Sequence, residues 1–120
     1  MATTKNVPKQ LVWVASSKAD LLVMPAAVQD TFGYALHMAQ VGGKYEHAKP
    51  LSGFGSATVL EVVEDWKGDT YRAVYTVKLA GRVYVLHCFK KKSTKGIQTP
   101  KPDMDLIESR LKAAREHAKG

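Results

Sequence analysis

The sequence predicts an α+β fold: a small antiparallel sheet, mainly three to four stranded, with N-terminal helices packed on it and a C-terminal helix. Three observations carry this prediction. An apolar stripe of helical period occupies the first third of the chain, three β-rich runs follow one another between residues 58 and 89, and a second helical stripe ends the sequence. At 120 residues and 45% hydrophobic content, the chain reads as one domain, 1–120. A domain of this size buries roughly two thirds of its unfolded surface and needs neither disulfide nor metal to fold.

The elements follow in order. Residues 11–14, Leu-Val-Trp-Val, form a short apolar run after Pro8 and read as a strand. Ser17 with Asp20 three residues on suggests a capped short helix that Pro25 interrupts or restarts. From there Val28, Phe32, Ala35, Leu36 and Ala39 recur at i, i+4, i+7, i+8 and i+11, a helix ended by Gly42 and Gly43. Gly33 within it costs about 1 kcal/mol relative to alanine, which suggests a close approach by a neighbour. Residues 42–57 read as a loop.

Residues 58–64 are a strand, 66–69 (Trp-Lys-Gly-Asp) a turn, and 71–79 and 82–89 a hairpin about Ala80-Gly81. With a two-residue turn, Arg72, Val74, Thr76, Lys78, Val83, Val85, His87 and Phe89 share one face, since cross-strand partners point the same way. Tyr71, Ala73, Tyr75, Val77, Leu79, Arg82, Tyr84, Leu86, Cys88 and Lys90 share the other. A slip of one residue would exchange the faces of a strand. Pro100 and Pro102 precede Asp103, read as the cap of a last helix whose stripe is Ile107, Leu111, Ala114 and Ala118.

Charge is distributed unevenly. The chain carries +7, of which the stretch 89–102 contributes +5 through Lys90, Lys91, Lys92, Lys95 and Lys101, with no acid. A one-sign block beside a strand is the footprint of a polyanion site. Cys88 is the only cysteine, so no internal disulfide is possible, and in its apolar run it reads as a small buried hydrophobe. The apolar stretch after Lys5 and Lys9 is five residues long, too short for a secretory or membrane segment, and a cytoplasmic protein is expected. The histidines, at 37, 47, 87 and 117, are scattered and form no metal-ligand pattern, so neither metal nor cofactor is expected.

Several segments together resemble the RelE/ParE toxin superfamily, and its HigB-like, phage-related branch in particular. They are residues 49–55 (Lys-Pro-Leu-Ser-Gly-Phe-Gly), 59–62 (Val-Leu-Glu-Val), 71–75 (Tyr-Arg-Ala-Val-Tyr), and 85–93 (Val-Leu-His-Cys-Phe-Lys-Lys-Lys-Ser) followed by Thr99-Pro100. The resemblance spans nearly the whole chain, from Trp13 to about Lys112. It implies a RelE-like fold and the toxin of a type II toxin–antitoxin system, a metal-independent, ribosome-dependent mRNA endoribonuclease that inhibits translation. It also implies as partners the ribosome, its mRNA and a cognate HigA-like helix-turn-helix antitoxin.

Cleavage of RNA without a metal needs activation of the 2′-hydroxyl, stabilisation of the phosphorane and protonation of the leaving 5′-oxygen. Arg72 aligns with the superfamily's Tyr-Arg strand motif and is assigned to the scissile phosphate, where its planar fork binds two oxygens. Lys91 and Lys92 follow the last strand, where the superfamily keeps catalytic basic residues, and His87 titrates in the useful range. Lys49, Lys90, Lys95 and Arg82 are candidates for binding RNA, with Tyr75 and Tyr84 as stacking platforms. One departure stands out: many relatives carry an arginine where this chain has Val63. Either Lys78 or Arg82 supplies the missing cation, or catalysis is weaker. Two alternatives follow, a decayed toxin that binds ribosome or RNA without cleaving, and a ParE-like gyrase inhibitor.

Overall fold

The computed structural model describes residues 7–55, 59–91 and 99–120. The element order is β1 (Leu11–Trp13), α1 (Ser17–Leu22), α2 (Ala26–Gln40), β2 (Lys49–Pro50), β3 (Val59–Trp66), β4 (Asp69–Leu79), β5 (Arg82–Lys91) and α3 (Lys101–Lys119). The α+β class is as the sequence indicates, but the sheet is larger and mixed. It has five strands in the order β1-β5-β4-β3-β2, and β1 runs parallel to β5. β1 stands where the apolar run 11–14 places it, but the two-residue β2 is too short for periodicity to register, and a parallel pairing between residues 72 apart leaves no local signal.

Both hairpin turns need positive φ at two positions, which Gly68 and Gly81 favour and which Lys67 and Ala80 adopt against the usual preference of L-residues. Lys67 and Gly68, then Ala80 and Gly81, all take positive φ, as in a type I′ turn whose twist matches that of the flanking strands. The pairing of Leu79 with Arg82, of Val74 with His87 and of Arg72 with Phe89 follows the sequence reading. Between these fixed points the register slips and recovers. From Leu79 to Thr76 β4 advances three residues while β5 advances two, and from Tyr75 to Val74 β5 advances two for one. The two bulges compensate, so the faces are exchanged from the turn as far as Leu86 and restored beyond it. Val83 and Val85 lie with Tyr71 and Tyr75, whereas Tyr84, Leu86 and, contrary to the sequence reading, Leu79 lie with Val74. The face assignment of these four β5 residues from sequence is thereby corrected.

Each sheet face has its own core. The α2 stripe Val28, Phe32, Ala35, Leu36 and Ala39 is buried as expected, and packs with Leu21 and Met24 on Val62, Tyr71, Ala73, Tyr75, Val83, Val85 and Cys88. Ile107, Leu111 and Ala114 of α3 cover the opposite face, against Leu51, Val59, Val74, Tyr84, Leu86 and Phe89. Burial on both sides explains why neither face of the hairpin is cleanly polar.

Two caps and one glycine differ from the sequence reading. Ser16, not Ser17, precedes α1 and hydrogen-bonds Asp20 at 2.8 Å, while the buried Ser17 hydroxyl donates to the Val85 carbonyl at 3.1 Å. Asp103 lies inside the first turn of α3, behind Pro100 at the cap position, and its carboxylate is used elsewhere. A Cβ at Gly33 would meet nothing within 4 Å, so no neighbour requires a glycine there.

Candidate nucleic-acid interface

Lys49 pairs with Glu61, and Val63 with Arg72, so these four side chains share the α3 face of the sheet. Lys91, two residues beyond Phe89 on β5, points the same way. The Arg72 guanidinium reaches Glu61 through an Nη1–H···Oε1 bond of 2.8 Å, with Arg72 4% and Glu61 8% exposed. Lys91 is 6% exposed and equally enclosed. A cavity of about 520 Å³ opens beside this cluster, lined by Lys49, Leu51, Ser52, Glu61, Thr99 and Met104 among others. The Thr99 hydroxyl is buried, with no hydrogen-bond partner among the described residues. The loop before β3 and the first turn of α3 thus form the walls, and the strand floor carries Lys49 and Glu61.

A family model described as phage-derived protein Gp49-like (DUF891) matches residues 19–112. The chain belongs to the Gp49-like family. That family is toxin-like and related to the RelE/ParE-type toxins, and such a family implies an antitoxin partner. None of the curated proteins matches the chain.

In this Gp49-like chain, the residues singled out from sequence separate into distinct places. Arg72, Lys91 and Lys49 lie on one face of the sheet, on three different strands. Lys92 and Lys95 lie outside the described residues. Lys90 points to the other face and meets Asp69 at 3.5 Å, both about half exposed, a contact of little energetic weight. Tyr75 is buried in the α2-side core, and burial pushes its phenol up to about 12.

Tyr84 is also fully buried. Its hydroxyl accepts a bond from Arg82 Nη1 at 3.0 Å and shares one with His117 Nδ1 at 2.9 Å, pinning the end of α3. Arg82 therefore works about 30 Å along β5 from Lys91. Lys78 lies near that same hairpin end, so neither residue replaces the cation missing at Val63.

His87 is buried, stacks on Phe89 with centroids 4.4 Å apart, and meets Asp103 Oδ1 through Nε2 at 2.8 Å. A carboxylate only accepts, so Nε2 carries the proton, and Nδ1 is buried with no partner among the described residues. Burial holds the imidazole below its ordinary value near 6.5, outweighing the opposing pull of Asp103. At pH 7 the contact is therefore a hydrogen bond from a neutral ring rather than an ion pair.

A histidine with a depressed folded pKa binds fewer protons folded than unfolded. The stability it confers is present above pH 6.5 and lost as pH falls through the folded value. Urea midpoints measured from pH 7.5 to pH 5.5 should therefore fall for the wild type and fall less for His87→Gln. Parallel curves would show that the buried ring does not titrate differently on unfolding.

Glu61 and Asp103 are the residues that a search for cations misses. A carboxylate in the middle of a strand flanked by Val59, Val62 and Val63 is the available signal, because strands rarely hold Glu unless a partner is near. Among the described residues no group of three His, Cys, Asp or Glu is placed to hold a metal. Likewise, no described helix is long and apolar enough to cross a membrane.

Proposed function

We propose that the chain, as one toxin domain over residues 1–120, is the toxin of a type II toxin–antitoxin pair: a cytoplasmic, HigB-like mRNA endonuclease acting on the ribosome. The observation that carries this is the placement of Lys49, Arg72 and Lys91 on one sheet face, where Lys49 and the Arg72 partner Glu61 line a cavity large enough for a nucleotide. The basic stretch 89–102 begins at the same place. Arg72 engages the scissile phosphate, its guanidinium plane fixed by Glu61, and Lys91 and Lys92 offset charge on the phosphorane as the 2′-oxygen attacks and the 5′-oxygen leaves. His87, neutral and oriented by Asp103, is in the state a general base requires. Lys49, Lys90 and Lys95 track the RNA backbone. The ribosome, its mRNA and a HigA-like helix-turn-helix antitoxin are the partners.

Primer extension on transcripts from induced cells should reveal cuts within translated codons, and cuts that persist when translation is blocked would sink the ribosome-dependent reading. Binding of the purified chain to ribosomes should weaken by at least about tenfold between 50 and 200 mM salt, because each phosphate contact releases counterions. Salt-independent affinity would count against the basic face. Val63 beside an enclosed Arg72 favours a second reading, a domain that binds the ribosome and leaves mRNA intact. Inhibited translation with uncut transcripts would select it.

A further inference from the structure

The outer surface of α2 is set apart from the rest of the molecule by its charge. From residue 19 to residue 43 the chain has no lysine or arginine, although it carries 18 of them elsewhere. The exposed positions of α2 include Ala26, Asp30, Gly33, Tyr34 and His37, with Val41 at its C-cap, and their spacing places them on one stripe opposite the buried one. Of the six large apolar side chains exposed among the described residues, four belong to this layer: Leu22, Val23, Tyr34 and Val41. Tyr34 is 56% exposed, yet its ring stands edge-on against Tyr45 with centroids 5.8 Å apart. A large side chain already held in place loses little freedom when a partner covers it.

The occupant follows from charge and from symmetry. Two copies that each carry +7 repel one another wherever their lysines and arginines meet, and the α2 stripe holds none. At its margin Lys44 stands beside Glu46. A twofold contact requires the stripe to complement itself when turned end over end. With the axis between Gly33 and Tyr34, at the middle of α2, each Tyr34 lies over the partner's Gly33, where an added Cβ meets nothing within 4 Å in a single copy. Asp30 then faces the partner's His37, a carboxylate that accepts against a ring N–H that donates, and Ala26 faces the partner's Val41. Within one copy, neither the Asp30 nor the His37 side chain has a hydrogen-bond or ion-pair partner among the described residues.

We propose that α2 is a homodimer interface, packed antiparallel on α2 of a second copy about Gly33 and Tyr34. The helix is about 22 Å long, and a contact of that length is small against the roughly 800 Å² per partner of a standard interface, so the association is weak. It uses no residue of the proposed RNA-binding face, and its test involves neither RNA nor ribosome.

Sedimentation equilibrium of the full chain should give a monomer–dimer Kd between about 10 μM and 1 mM. Tyr34→Glu, at a position too exposed to disturb folding, should raise that Kd at least about tenfold. Asp30→Arg should raise it at least about threefold, and adding His37→Glu to Asp30→Arg should return it to within about twofold of the wild type. Positions 30 and 37 are two turns apart, beyond the one-turn spacing of side-chain pairs within a helix, so the rescue reports on pairing between copies. Isotope-filtered NMR on mixed labelled and unlabelled chains should place the Tyr34 ring against Gly33 of the partner subunit. A chain that stays monomeric at about 1 mM would overturn the proposal and leave the face to a different protein. So would a dimer that Tyr34→Glu leaves intact, or an Asp30→Arg defect that His37→Glu does not repair.

Discussion

Cells expressing Arg72→Ala are expected to grow as uninduced cells do, while the purified variant loses about 3–5 kcal/mol of stability. Both effects have one origin. Removing the guanidinium takes away the phosphate-binding fork and also strands the Glu61 carboxylate, 8% exposed, without its 2.8 Å partner. A double variant separates the two. Arg72→Met with Glu61→Leu replaces the pair by apolar groups of similar volume, which in buried pairs is often neutral or stabilising. Its urea midpoint should return to within about 1 kcal/mol of the wild type, and its expression should remain harmless. A stable double variant that still arrests growth would remove Arg72 from the proposed reaction. A single variant as stable as the wild type would mean that water reaches Glu61 once the arginine is gone.

Whether a feature was legible in the sequence depended on how local its cause is. The α2 stripe from Val28 to Ala39 and that of α3 from Ile107 to Ala114 were readable because each is one period repeated over several turns of one segment. The hairpin ends were readable because Ala80-Gly81 fixes the pairing of Leu79 with Arg82. The bulges opposite Val83 and at Leu86 were not. Each is decided by the need to bury Val83 and Val85 under α1 and α2 while Tyr84 and Leu86 go under α3. That competition exists only once helices lie on both faces.

The candidate site divides in the same way. Its cations were conspicuous by type, and Arg72 by motif. The carboxylates that orient Arg72 and His87 were not, because Glu61 acts on a residue 11 positions away and Asp103 on one 16 positions away. Tyr84 illustrates the reverse error. A tyrosine on a strand suits a base-stacking platform equally well, and only the position of His117 on α3 shows that its hydroxyl is used to hold a helix.

That helix carries the second large effect. Ile107→Ala should lower stability by about 2–5 kcal/mol, since Ile107 is wholly enclosed between α3 and the sheet by Val74, Leu86 and Phe89 among others. Leu106→Ala, at a neighbouring but exposed position, should change it by no more than about 0.5 kcal/mol. The loss at Ile107 also reaches the candidate site. Asp103 and Met104 lie one turn earlier on the same side of α3, one holding His87 and the other lining the cavity. With the anchor gone, this first turn loosens and water reaches the imidazole, so the burial that depresses its pKa relaxes. The ring protons of His87, followed against pH by NMR, should then titrate closer to 6.5 in Ile107→Ala than in the wild type. An unchanged His87 titration in a destabilised variant would locate the hold on the first turn in the Asp103 contact itself. A loss below about 1 kcal/mol would mean that α3 is not fixed to the sheet by its apolar stripe.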